Sequence, residues 1–168
     1  MGDWNMFFAT AAGSAATLVG LLFIATQLHL GVFSDPENRW AALGQGTLTI
    51  LATVFALSLS FLIPSLSSPA HGYIILAAAA FASWRTVRVW WPVFRLREKG
   101  RVHRLAQSFW LLMLPVVAYI YLLSGAWGLL RGESAAVLNV GGAVLVLFAI
   151  SLRNAWRLVV NVEQPQGA

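Results

Sequence analysis

Trp40 to Trp84 reads WAALGQGTLTILATVFALSLSFLIPSLSSPAHGYIILAAAAFASW, a run with no Asp, Glu, Lys or Arg. It is too long for one bilayer crossing, since about 20 apolar residues rising 1.5 Å each already span roughly 30 Å of hydrocarbon. Near its middle, Pro64-Ser65-Leu66-Ser67-Ser68-Pro69-Ala70-His71-Gly72 combines two prolines with serines and a glycine. Such a cluster breaks a helix. The run therefore divides into two apolar spans, Trp40 to Ile63 and about Gly72 to Trp91, folded back on each other. That pair sets the fold class: all-α, a polytopic membrane helix bundle.

Outward from this pair, three further runs reach spanning length: about Asn5 to Leu30, about Leu105 to Leu130 and Ala135 to about Val160. Ser34-Asp35-Pro36-Glu37-Asn38-Arg39 separates the first span from the second, and Arg131-Gly132-Glu133-Ser134 makes a tight hairpin between the last two. The expectation is one transmembrane domain over 1–168 with five spans, at about 5–30, 40–63, 72–91, 105–130 and 135–160. The composition agrees. Of 168 residues 59% are hydrophobic and 10% charged, against about 45–50% and about 25% in soluble domains, and the mean hydropathy is +0.74. A water-soluble fold of this size could not bury so much apolar surface. With no cysteine, a disulfide framework, a thiolate metal site and a thiol nucleophile are excluded.

Orientation follows from the distribution of Lys and Arg, which gather on the cytoplasmic side of short loops. With five spans threaded, ten of the eleven fall on one side and only Arg131 on the other. This places the N-terminus outside and the C-terminus inside, in a multi-pass protein of a cell membrane, with a bacterial inner membrane the expected one. The first span has no basic n-region, and its small residues precede the apolar run Leu18 to Ile24 instead of following it, so it reads as retained and not as a cleaved signal.

Two spans carry stripes. Ala9, Gly13, Ala16, Gly20 and Gln27 share one face of the first, where Gly13, Ala16 and Gly20 would let another backbone pack closely. In the second, Gln45, Thr49, Thr53, Ala56 and Ser60 recur every three or four residues, and the two stripes are expected to face each other or a shared interior. Ordinary helix packing explains both, and a ligand-lined interior is the alternative reading.

Polar residues also collect at the cytoplasmic end: Gln27 and His29, Gln45, Arg85 and Arg88, Gln107, then Arg153, Asn154 and Arg157. Arg85 and Arg88 share a helix face, as do Arg153 and Arg157. Guanidinium groups match phosphate oxygens bidentately. The set Arg85, Arg88, Arg153, Arg157, Gln27, Gln45, Gln107 and Asn154 is therefore a candidate site for an anionic phospholipid or another amphiphilic anion. Snorkelling arginines touching bulk lipid are the simpler reading. The tryptophans Trp4, Trp40, Trp84, Trp90, Trp91 and Trp110 near span ends read as interfacial anchors. The basic segment from Arg95 to Arg104 brings the net charge to +5, but ten residues between spans form no base-reading fold, so membrane lipid and not nucleic acid is its expected partner.

Catalytic chemistry finds few candidates. All six carboxylates, Asp3, Asp35, Glu37, Glu98, Glu133 and Glu163, fall in loops or termini, which leaves no intramembrane carboxylate pair. His29 and His103 fall on one side and His71 on the other, so no metal cluster is expected, and each histidine reads as an interfacial polar residue. No catalytic residue, metal site or cofactor is assigned, and an enzyme is not expected.

Asp3-Trp4 with Phe7-Phe8, then Gly20-Leu21-Leu22-Phe23-Ile24-Ala25, and late in the last span Asn154-Ala155-Trp156 followed by Leu158-Val159, resemble a family of small uncharacterised bacterial integral-membrane proteins. Some members are loosely labelled modulators of a membrane-bound protease. The resemblance carries over no functional residue. Two readings remain: an interaction, scaffold or modulator protein that self-associates or binds another membrane protein through the small face of the first span, or a protein that binds or transports an amphiphilic anion at the cytoplasmic cluster.

Overall fold

The computed structural model describes residues 2–28, 39–95 and 105–161. The chain is all-helical there: α1 Gly2–Leu28, α2 Arg39–Phe61, α3 Ser68–Arg95, α4 Leu105–Leu130 and α5 Ala136–Asn161. Three stretches are long and apolar enough to cross a membrane, Trp4–Gln27, Trp40–Phe61 and Ala136–Val159, and α4 carries a shorter apolar stretch, Leu114–Leu130.

Both described connections have identifiable causes. After α2, the Leu62 N–H donates to the Leu59 carbonyl at 3.0 Å and the chain turns through Pro64 and Ser65 into α3. Pro69 sits in the first turn of α3, where a helix needs no N–H from it. For that reason α3 begins at Ser68 and not near Gly72, and the break is confined to residues 62–67. Past α4, Gly132 adopts φ +79°. Its N–H donates to Leu129 O at 3.0 Å and the Glu133 N–H to Gly128 O at 3.0 Å, the paired bonds of a Schellman end. Only glycine takes that φ without strain.

Packing of α2 on α3, α3 on α4, α4 on α5 and α5 back on α2 closes a four-helix ring, in which α3 and α5 stand diagonally opposite, their backbones apart among the described residues. Helix α1 lies outside the ring, mainly against α2 and lightly against α5. The apolar stretch of α1 is accordingly 22% buried, against 61% for that of α2. Helices consecutive in sequence pack antiparallel, as where a Cβ on Gly72 near the start of α3 would meet Leu130 at the end of α4, whereas α1 and α5 run parallel, since one on Gly141 near the start of α5 would meet Trp4 at the start of α1. Both tight turns thus lie at one end of the bundle, and Arg85, Arg88, Arg153 and Arg157 lie toward the other.

The core is a column of Val54, Leu57, Ile75, Ala79, Leu122, Leu129, Val140, Val144 and Leu147, with Phe8 and Ala15 brought in by α1. A second, smaller cluster toward the arginine end joins Leu22 of α1, Leu43 and Leu51 of α2 and Leu158 of α5. The ring closes tightly where side chains vanish. A Cβ on Gly125 would stand 2.7 Å from Val140, and one on Gly128 would stand 2.5 Å from the Ala136 Cβ.

Candidate functional site

Helix α1 turns the opposite face inward from the one its small residues suggest. Phe8, Ala12, Ala15 and Leu22 are buried, while Ala9, Gly13, Ala16, Gly20 and Gln27 are exposed. A Cβ built on Gly13 or on Gly20 meets nothing within 4 Å. The expectation that this stripe faces the hydroxyl stripe of α2 is therefore corrected. Phe8 stacks on Phe61 of α2 at 4.2 Å and 8° between ring planes, a contact that the small face cannot match in dispersion.

The stripe on α2 divides. Gln45 and Ala56 are exposed, whereas Thr49, Thr53 and Ser60 are buried together with Thr47 and Ser58. Except at Ser58, the hydroxyl protons are used within the helix: Thr47 donates to Leu43 O at 2.7 Å, Thr49 to Gln45 O at 2.9 Å, Thr53 to Thr49 O at 2.8 Å and Ser60 to Leu57 O at 2.7 Å. Ser151 of α5 does the same with Leu147 O at 2.9 Å. Such back-bonding lets hydroxyls lie in an apolar interior with no ligand to hold. Among the described residues three buried side-chain atoms make no hydrogen bond: Ser58 Oγ, Tyr119 Oη and Asn154 Oδ1. The hydroxyls of Thr53 and Thr86 flank that of Tyr119. The Tyr119 hydroxyl reaches bonding geometry with neither, and those of Thr53 and Thr86 donate to the carbonyls of Thr49 and Ala82.

The candidate anion site is spread out. Arg85 is half-buried, Arg88 is exposed with its guanidinium 5.4 Å from the centre of the Trp84 ring, Arg153 is exposed and Arg157 half-buried. The first two stand on α3 and the others on α5, helices diagonally opposite in the ring. Asn154, next to Arg153 in sequence, is turned inward and buried. Gln107 opens α4, but its side chain lies outside the described residues, as do His29, His103 and the basic segment that follows Arg95. Among the described residues no group of three His, Cys, Asp or Glu could hold a metal.

His71 departs from its reading as an interfacial residue. It is buried, 3% exposed, with Nδ1 3.0 Å from Ser67 O and Nε2 3.2 Å from Ser60 O. Its ring stacks on Phe61 at 4.5 Å.

Among known proteins, no family model matches the chain, and neither a curated protein nor a solved structure is similar to it.

Proposed function

We propose that this chain is a non-enzymatic integral membrane protein, an interaction, scaffold or modulator component, whose docking face is the outward small-residue side of α1. In this reading all five helices cross the membrane, the turn end faces outside and the arginine end faces the cytoplasm, in a bacterial inner membrane. The separation of the arginines by helix end supports that orientation, since basic residues favour the cytoplasmic side.

The observation that carries the reading is the open space over Gly13 and Gly20. Glycine within a helix costs about 0.5–1 kcal/mol relative to alanine. At Gly125, Gly128 and Gly141 a close neighbour explains that cost. At Gly13 and Gly20 nothing among the described residues does. A second membrane helix packed against Ala9, Gly13, Ala16 and Gly20 would use the bare backbone as small-residue interfaces do. A second copy of the chain is the simplest partner. Anionic phospholipid is assigned to two separate places, beside Arg85 and Arg88 on α3 and beside Arg153 and Arg157 on α5.

Gly20→Leu tests the docking face, because its side chain enters open space and leaves the bundle intact. The expected result is loss of the associated species in native mass spectrometry and crosslinking, with an unchanged melting temperature for the monomer. Association that survives both Gly20→Leu and Gly13→Leu would assign this face to lipid.

A further inference from the structure

We infer that the arginine half of the four-helix ring is a water-binding vestibule, closed toward the turn end, whose innermost site lies between Tyr119 of α4, Thr53 of α2 and Thr86 of α3. Tyr119 is 5% exposed, and its hydroxyl is flanked by those of the two threonines without bonding to either. The threonine protons go to Thr49 O and Ala82 O, each at 2.8 Å. Both threonine oxygens are thereby left as acceptors, while the tyrosine keeps a proton to give. A molecule that accepts one hydrogen bond and donates two completes this set. That is the chemistry of water, which makes about three hydrogen bonds where it is buried in a protein. Among the described residues no Asp, Glu, Lys or Arg is buried, so the occupant is neutral.

Two more groups in the same half need partners that their own helices cannot supply. Asn154 Oδ1, in the last third of α5, is buried without a hydrogen bond. An amide oxygen only accepts, and the N–H groups of a helix interior are committed to its ladder. In α4, Pro115 is buried one turn nearer the arginine end than Tyr119. Having no N–H, it deprives the Leu111 carbonyl of its helical donor. In membrane helices such freed carbonyls are met by hydroxyls or by ordered water. The Ser58 hydroxyl, the third unpartnered group, lies near the turn end and needs no water. Rotation about χ1 lets it donate to the carbonyl four residues back, as Ser151 does to Leu147 O at 2.9 Å.

Side-chain bulk divides the ring in the same way. Toward the arginine end the buried residues of α3 shrink from Ile75 to Ala79 and Ala82, with the half-buried Thr86 beyond, and Ala118 stands beside Tyr119 on α4. Toward the turn end Leu57, Ile75, Leu122, Leu129 and Val140 are fully buried in one apolar cluster. A wholly apolar plug offers water no hydrogen bond and stays dry. Water therefore enters from the arginine end and stops at Tyr119, which makes the interior a blind vestibule and not a pore.

The test is X-ray radiolysis of the full chain in detergent, in which hydroxyl radicals form from water in place and oxidise the side chains that touch it, read by mass spectrometry of the peptides. Tyr119 should be oxidised although it is buried, while Phe8, buried at the turn end, should not. An unlabelled Tyr119, or Phe8 labelled as strongly, overturns the inference. The melting temperature of Tyr119→Phe is the second measurement. Losing the donor to water should lower it by roughly 1–6 °C, whereas removing a buried hydroxyl that bonds to nothing would raise it, and a rise overturns the inference. A hydroxyl bonded directly to either threonine would also lower the melting temperature but would leave Tyr119 unlabelled. Should Tyr119→Phe fail to fold, the wild-type labelling decides alone.

Discussion

The glycines fall into two sets with opposite consequences. At Gly125 and Gly128 an added methyl would press on Val140 and Ala136, at 2.7 and 2.5 Å, on a neighbouring helix. Gly125→Ala and Gly128→Ala should each destabilise the protein by about 1–3 kcal/mol, the range for overpacking a tight contact. Gly13→Ala and Gly20→Ala should instead stabilise the monomer by about 0.5–1 kcal/mol each, because alanine has the better helix propensity and meets nothing. Denaturation in detergent under dilute, monomeric conditions measures both sets, and a uniform sign across the four would contradict the packing described. Sequence marks all four alike, as small residues at helical spacing. Which of them meets a neighbour depends on how the helix is rotated in the bundle. His71 was hidden for a similar reason: the turn residues around it point to the interface, and its burial comes from Phe61 and α1, which local sequence does not place.

Helix existence was legible and helix rotation was not. Charges and prolines mark the ends of an apolar run, so the spans read from sequence lie within a few residues of the helices, apart from the start of α3 at Pro69 and its continuation past Trp91 to Arg95. Rotation is normally read from contrast between an apolar and a polar face. In α1 both faces are apolar, with Phe23 and Ile24 outside and Phe8 and Leu22 inside, so small residues were the only contrast available and they pointed the wrong way. The inward face has its own anchor, Trp4 seated against Gly141 of α5, where an added Cβ would stand 2.7 Å from the indole. Gly141→Leu should evict Trp4 and cost about 1–3 kcal/mol. Combining it with Trp4→Ala should cost less than the two changes summed, because the larger side chain then fills the space the indole leaves. Strict additivity in that double-mutant cycle would place α1 elsewhere.

The two ends of the whole molecule differ in chemistry. One end carries both tight turns, the buried His71 and the aromatic ladder, and the other carries the arginines of α3 and α5. No buried nucleophile stands beside a base among the described residues, and the hydroxyls inside the ring are largely occupied by their own helices. On its surface the molecule carries the outward glycines of α1 and the arginine pairs of α3 and α5. The spread of those pairs over diagonally opposite helices could not be read from sequence, where every helix contributes a polar residue at one depth and nothing indicates which helices are diagonal.

The threading of all five helices is the central claim, and the absence of cysteine makes it directly measurable, since any introduced thiol is the only one present. Ser67→Cys lies in the turn between α2 and α3, Ser134→Cys in the turn between α4 and α5, and Lys99→Cys in the basic segment between α3 and α4. In intact cells a membrane-impermeant maleimide should label Ser67→Cys and Ser134→Cys and should reach Lys99→Cys only after permeabilisation. Labelling of Lys99→Cys from outside, or opposite accessibility of Ser67→Cys and Ser134→Cys, would contradict the account.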